Sequence, residues 1–263
     1  RYPEGNFVNN ALFYLAEYYY SKGTYTRALE YYSKVCSRPD NIFTEQALLK
    51  AGELTFNAGN FHPSLEYFQR LEGIASTKWN VLKSRAGIMR NYFNLQEHEQ
   101  TLTAVTALLN TENVTEQMIR EARFKAGKSN YLLSNYAAAL NDLSQTAEDT
   151  KNAEGAESKY LKAKIFFQTG KFEDCEKEIM DFISKNTPHQ YWLAQSFILL
   201  SDIYLKKNDL FQARHTLKSI VDNYANKEDG IIETSLQKIR QIEEMEKESI
   251  LDNKESIDSV NNQ

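Results

Sequence analysis

Leu12-Phe13-Tyr14-Leu15-Ala16-Glu17-Tyr18-Tyr19-Tyr20-Ser21-Lys22-Gly23-Thr24-Tyr25-Thr26-Arg27-Ala28-Leu29-Glu30-Tyr31-Tyr32 decides the fold, because its pattern of large and small residues recurs along the chain. Leu12, Leu15, Ala16, Tyr19, Gly23, Tyr25, Ala28, Leu29 and Tyr32 are answered 36 positions later by Leu48, Ala51, Gly52, Thr55, Gly59, Phe61, Ser64, Leu65 and Phe68. Further copies carry Ala126, Gly127, Asn130, Ser134, Tyr136, Ala139, Leu140 and Leu143, then Ala163, Phe166, Gly170, Phe172, Cys175 and Ile179, then Phe197, Leu200, Ser201, Tyr204, Asn208, Leu210, Ala213 and Leu217. The third copy is degenerate, with Ile88, Met89, Tyr92, Gln96, His98, Thr101, Leu102 and Val105 in the same slots. Ala16, Gly52, Met89, Gly127, Ala163 and Ser201 are equivalent, at successive spacings of 36, 37, 38, 36 and 38. A fixed period of this length is the mark of stacked repeats.

The residue types have one physical cause. A small residue in the first half of each copy and another early in the second (Ala28, Ser64, Thr101, Ala139, Cys175, Ala213) allow two antiparallel helices to approach closely. Aromatics at the turn and late in the second helix, Tyr25 with Tyr32 and Phe61 with Phe68, fill the space between one helical pair and the next. Gly23, Gly59, Gly170 and Asn208 are the left-handed stops between the two helices.

This L-G/A-x-x-Y…G-x-Y/F-x-x-A-L-x-x-Y/F pattern resembles the tetratricopeptide repeat (TPR) family, whose usual period is 34 residues. The family's tryptophan is replaced by Leu12, Leu48 or Phe197, and its terminal proline is matched only roughly, by Pro39 and Pro188. The resemblance implies an all-α, right-handed solenoid of about six helix–turn–helix repeats at residues 9–42, 45–78, 82–115, 120–153, 156–189 and 194–227. Residues 1–8 read as the end of a preceding repeat or a linker, with more repeats expected upstream. Residues 230–249, where Ile232, Leu236, Ile239, Ile242 and Met245 form one apolar stripe, read as a capping helix with one wet face, and 250–263 as a disordered tail.

In the family the first helix of each pair lines a concave groove that takes a partner peptide or helix. Carried over position by position, the resemblance implies three groove rows. Four residues after the small site stand Tyr20, Phe56, Phe93, Tyr131, Phe167 and Leu205. Three before it stand Phe13, Leu49, Ala86, Phe124, Tyr160 and Ile198, and one after it Glu17, Glu53, Arg90, Lys128, Lys164 and Asp202. Aromatic anchors beside charges suit an interface, here with an acidic first third and a basic middle. The competing reading makes the aromatics core between helices.

Composition narrows the classes. A net charge of −5 gives no basic footprint for nucleic acid. Four prolines and ten glycines are too few to punctuate many short strands, and no apolar run is long enough for membrane insertion. Lys125-Ala126-Gly127-Lys128-Ser129 resembles the end of a phosphate-binding loop, but Ala122 stands where that loop requires glycine. His62, His98, His189 and His215 have neither zinc spacing nor a cysteine partner, Cys36 and Cys175 read as small buried hydrophobes, and the acidic run at Glu243 to Glu248 reads as a solvated face. No cofactor, metal or catalytic residue is expected.

The expected function is a non-catalytic scaffold or adaptor for a protein or peptide. Two other readings are a self-associating component of an envelope assembly and an accessory domain of an enzyme whose catalytic part lies upstream. The style of Tyr2 to Tyr20 is similar to bacterial outer-membrane assembly lipoproteins and TolA-binding proteins, which implies the periplasm or cell envelope, with the cytoplasm as the alternative.

Overall fold

The computed structural model describes residues 7–261, and side chains as far as Glu248; the linker expected at 1–8 lies mostly outside the described residues. The described residues form thirteen helices and no strand. They fall into two compact units, divided between Asn135 and Tyr136. The first unit holds α1 (Val8–Ser21), α2 (Tyr25–Cys36), α3 (Thr44–Asn57), α4 (Phe61–Ile74), α5 (Lys78–Asn94), α6 (His98–Leu109) and α7 (Glu116–Leu132). The second holds α8 (Tyr136–Thr146), α9 (Ala153–Gln168), α10 (Phe172–Ser184), α11 (Gln190–Lys206), α12 (Leu210–Asn223) and α13 (Ile231–Asn261). Within each unit every helix packs on the next, and first helices also touch across hairpins: α3 on α5, α5 on α7, α9 on α11 and α11 on α13. This is the all-α solenoid plan.

One turn geometry recurs between paired helices. Gly23, Gly59, Gln96, Ser134, Gly170 and Asn208 all take positive φ, from 59° to 77°. The next residue's N–H reaches back five residues: Thr24 to Tyr19 O (2.9 Å), Asn60 to Thr55 O (3.0 Å), Glu97 to Tyr92 O (3.0 Å), Asn135 to Asn130 O (2.8 Å), Lys171 to Phe166 O (2.8 Å) and Asp209 to Tyr204 O (2.9 Å). That bond is the six-to-one closure of a Schellman motif. Its donor residue also opens the second helix, since the carbonyls of Thr24, Asn60, Glu97, Lys171 and Asp209 accept from Ala28, Ser64, Thr101, Cys175 and Ala213. One residue therefore ends one helix and starts the next.

Three first helices, α5, α7 and α9, begin on side-chain caps. Thr77, Thr115 and Asn152 accept from the N–H of Asn80 (3.1 Å), Met118 (3.3 Å) and Gly155 (2.7 Å). These caps satisfy donors that the helix leaves open.

The small residues meet at the crossings. Ser64 Oγ donates to the Gly52 carbonyl at 2.9 Å, and Cys175 Sγ to that of Ala163 at 3.0 Å. Between hairpins, the Phe68 ring is clasped by glycines: a Cβ built on Gly52 would lie 3.0 Å from it, and one on Gly87 only 2.5 Å. Tyr32, Leu48, Leu71, Leu82, Met89 and Leu108 fill the first unit's core; Ile165, Ile179, Phe182, Ile203 and Leu217 fill the second's. In the second unit Lys159, almost fully buried, is held by Glu178 at 2.8 Å and Asp181 at 2.5 Å. The lysine's hydrogen bond holds the Asp181 carboxyl below its ordinary value.

One sequence expectation is corrected. The last helix does not stop near residue 249; its backbone is helical to Asn261, where a disordered tail was expected from 250. No glycine or proline follows Gly230 to break the helix.

Three outcomes follow. Gln96→Gly relieves a left-handed glutamine and raises stability by about 1 kcal/mol, whereas Gly59→Ala, whose Cβ would meet nothing within 4 Å, lowers it by about the same through backbone strain alone. Gly87→Ala, stabilising in an open helix, here costs about 1–3 kcal/mol because the ring cannot retreat, and Phe68→Leu in the same chain recovers part of it; urea unfolding reads both pairs. A carboxylate with a depressed folded pKa stabilises above its unfolded value and loses that contribution as pH falls through the lower, folded one. Asp181→Asn is therefore expected to lower stability at neutral pH by at most about 1 kcal/mol and to match the parent near pH 2, on a pH series of melts.

Candidate functional site

In the first unit the C-terminal ends of α1, α3, α5 and α7 carry Tyr20, Phe56, Phe93 and Tyr131, all half-buried. In the second unit Phe167 holds the same position on α9, edge-on to Phe172 at 5.4 Å. The row three residues before the small site behaves otherwise. Phe13, Phe124 and Tyr160 are 5%, 6% and 9% exposed, so their rings are core and offer little to a partner. Phe13 stacks on Phe43 at 4.7 Å and meets Tyr32 edge-on, while Tyr160 stacks on Trp192 at 5.4 Å. Leu49 keeps partial exposure and Ala86 none.

The charged row is accessible but tied. Glu17 accepts a hydrogen bond from the Tyr32 hydroxyl, and burial together with that bond pushes the phenol well above its usual range. Glu53 lies 3.9 Å from Lys50. Arg90 grips Glu121 through two hydrogen bonds, Nε to Oε1 at 2.8 Å and Nη2 to Oε2 at 2.6 Å. Burial works to raise the Glu121 carboxyl, but Arg90 and Lys125 outweigh it and hold it below the ordinary glutamate value. Lys128 stands 5.9 Å from the Phe93 ring, and in the second unit Lys164 stands 5.5 Å from that of Tyr160. Part of the expected charge row is thus paired within the first unit, Glu53 beside Lys50 and Arg90 with Glu121.

Four of the expected residues meet at one place. A cleft of about 310 Å³ in the first unit is lined by Tyr20, Glu53, Phe56, Asn57 and Arg90, with Phe68 and Gly87 beneath. Three successive first helices contribute to it. Two lysines missed by the sequence reading complete the face: Lys50 lies over the Tyr20 ring at 4.3 Å and Lys125 over Phe93 at 4.1 Å. Each stands two residues before its small site, and that shared slot was the available signal. Asn57 was missed as well, although it directly follows Phe56.

This arrangement sets cations, rings and fixed hydrogen-bonding groups side by side. Cationic side chains over ring faces hold both partners in place, and the paired carboxylate and guanidinium offer hydrogen bonds with fixed direction. Burial pushes the Cys36 and Cys175 thiols up to about 12, far from thiolate reactivity. Among the described residues no group of three or more histidine, cysteine, aspartate or glutamate side chains could hold a metal ion. No described helix is long and apolar enough to cross a membrane. Lys125 to Ser129, the segment that resembles a phosphate loop, lies inside α7.

Comparison with known proteins agrees with the architecture. Residues 7–41 match a tetratricopeptide repeat family profile. The apo form of the quorum sensor NprR from B. thuringiensis superposes with a TM-score of 0.62 at 16% identity, over 87% of this chain and 69% of that one. YrrB, described as a TPR protein with an unusual peptide-binding site, gives 0.56 at 12% identity, over 78% and 97%. The apo form of RapI gives 0.55 at 12%, over 89% and 83%. No curated protein sequence is similar enough to match. The chain thus has the all-α solenoid fold of the tetratricopeptide repeat proteins, with residues 7–41 matching one such repeat in sequence.

Proposed function

We propose that this chain is a non-catalytic interaction module whose first unit takes an extended segment of a partner protein across the cleft at Tyr20, Glu53, Phe56, Asn57 and Arg90. The observation that carries the reading is the make-up of that cleft: two partly exposed aromatic rims with a carboxylate, a guanidinium and an amide between them, all on three adjacent helices. Rigid rings supply affinity at small entropic cost, and the polar groups fix the direction and register of a peptide backbone. The description of YrrB as peptide-binding supports a peptide as the occupant of a face of this fold. The likeness of Tyr2 to Tyr20 to envelope-type repeats supports a periplasmic setting, which fractionation of the native host checks.

A displayed library of random peptides selected on the whole chain tests the reading. Enriched peptides are expected to bind about tenfold more weakly to Tyr20→Ala or Phe56→Ala, with the melting temperature moved little because both rings are partly exposed. Phe13→Ala, by contrast, is expected to cost about 3 kcal/mol of stability. Peptides that bind all three cleft variants, Tyr20→Ala, Phe56→Ala and Arg90→Ala, as tightly as the parent would place recognition elsewhere and overturn the proposal.

A further inference from the structure

The lysines over the rings of the first unit follow a register, and the register is interrupted at the cleft. Two residues before its small site α3 carries Lys50 and α7 carries Lys125. Each lays its ammonium over the ring that ends the first helix before it, Lys50 over Tyr20 at 4.3 Å and Lys125 over Phe93 at 4.1 Å. Between them stands α5, whose residue in this slot is Gly87, and the ring it would cover is Phe56. Phe56 is otherwise the counterpart of Tyr20. Both are half-buried, and each meets the first residue of the next helix, Tyr20 with Tyr25 at 5.6 Å and Phe56 with Phe61 at 5.4 Å. Among the described residues no cation lies over Phe56.

Packing fixes this interruption. A Cβ on Gly87 would lie 2.5 Å from the Phe68 ring, so no side chain of the chain itself can start there. The space above Phe68 and Gly87 is the cleft of about 310 Å³. It is no effect of a chain end, because α3 and α7 both pack on α5. In the second unit the same slot is filled: Leu199 of α11 is buried in a cluster against which Phe167 packs.

The charges lining the cleft select what completes it. Glu53 stands almost one turn before Phe56 on α3, its side chain 40% exposed, and its one ion-pair partner is Lys50 at 3.9 Å. Arg90 is committed, since Glu121 takes it through two hydrogen bonds of 2.8 and 2.6 Å. The least committed charge is therefore a carboxylate beside an uncovered ring. Both attract a cation, the carboxylate by its charge and the ring by its quadrupole, and both repel an incoming carboxylate. Resting on the reading of the cleft as a peptide site, we propose that the occupant carries a lysine or arginine that lies over Phe56 with its charge beside Glu53. The partner thus supplies the cation that Lys50 and Lys125 supply at the two neighbouring steps, and its hydrocarbon stem fills the space above Phe68.

Peptides enriched on the whole chain from the displayed library test this by their sequences and by a double-mutant cycle. They are expected to share one basic position. Its replacement by methionine should weaken binding to the parent about tenfold, and binding to Phe56→Leu or Glu53→Gln about threefold or less. Phe56→Leu keeps the apolar bulk and removes the quadrupole, and Glu53 is partly exposed, so both variants are expected to melt near the parent. Added salt should weaken the parent complex more than the Glu53→Gln complex. Peptides that are lost on Tyr20→Ala, Phe56→Ala or Arg90→Ala but share no basic position, share an acidic one, or lose as much with methionine on both variants as on the parent would overturn this inference and leave the cleft reading standing. No enrichment, or peptides indifferent to the three alanine variants, would overturn both.

Discussion

The whole arrangement depends on a backbone hydrogen bond that does two things at once. The N–H of Thr24, and of its counterparts in later hairpins, closes the first helix while the same residue's carbonyl opens the second. No freedom remains between the two helices once that bond is made. The residue four places on is then fixed against a position in the first helix always twelve residues earlier, as Ser64 is on Gly52 and Cys175 on Ala163. Small residues recur at both partners in five of the six pairs, and in the drifted third copy Met89 stands opposite the small Thr101. The backbone constraint therefore selects the side chains, rather than the reverse.

From that constraint the row of rings beside the turns follows by geometry. Because each turn emerges at the same point, the last residues of successive first helices stand level, and aromatic rings at those positions form a row without having to touch one another. Lysines of the following helix lie over two of these rings, Lys50 on Tyr20 and Lys125 on Phe93. Such a contact is attractive through the ring quadrupole and keeps a long side chain from wandering over the face. Arg90 and Glu121 join α5 to α7 in the same manner. These charges join first helices to one another across the intervening hairpin helix.

How much of this was legible in the sequence depends on what decides each feature. The turn could be read because it is local: a left-handed residue is required whatever surrounds it, so Gln96 and Ser134 take the positive φ that Gly23 and Gly59 take more easily. The row of Tyr20, Phe56 and Phe93 could be read from helical spacing. The row of Phe13, Phe124 and Tyr160 could not be told from it, since the two rows are seven residues apart, almost two full turns, and share one face of the helix. What separates them is tertiary. Phe43, in the link that enters α3, stacks on Phe13, and Trp192 of α11 stacks on Tyr160, whereas the rings beside the turn meet the first residue of the next helix, Tyr20 with Tyr25 at 5.6 Å and Phe56 with Phe61 at 5.4 Å, and stay partly exposed. The pairing of charges across helices escaped for the same reason, because residues 31 apart, such as Arg90 and Glu121, have no shared periodicity to betray them.

The tyrosine run of α1 shows how finely that division works. Tyr18, Tyr19 and Tyr20 are adjacent in sequence, yet each meets a different environment. Tyr19 turns inward to stack on Tyr31 at 5.5 Å, under the Arg27 guanidinium. Tyr20 turns to the cleft and receives Lys50. Tyr18 turns outward to solvent, with the Lys22 ammonium 5.9 Å from its ring. A helix advances about 100° per residue, so three consecutive identical side chains are spread over about 200° of the circumference, and only the neighbours distinguish them. Tyrosine serves in all three places because its ring is apolar enough to be buried and its hydroxyl polar enough to be wet. Composition alone would count three aromatics and see one feature; the fold divides them among core, groove and outer face.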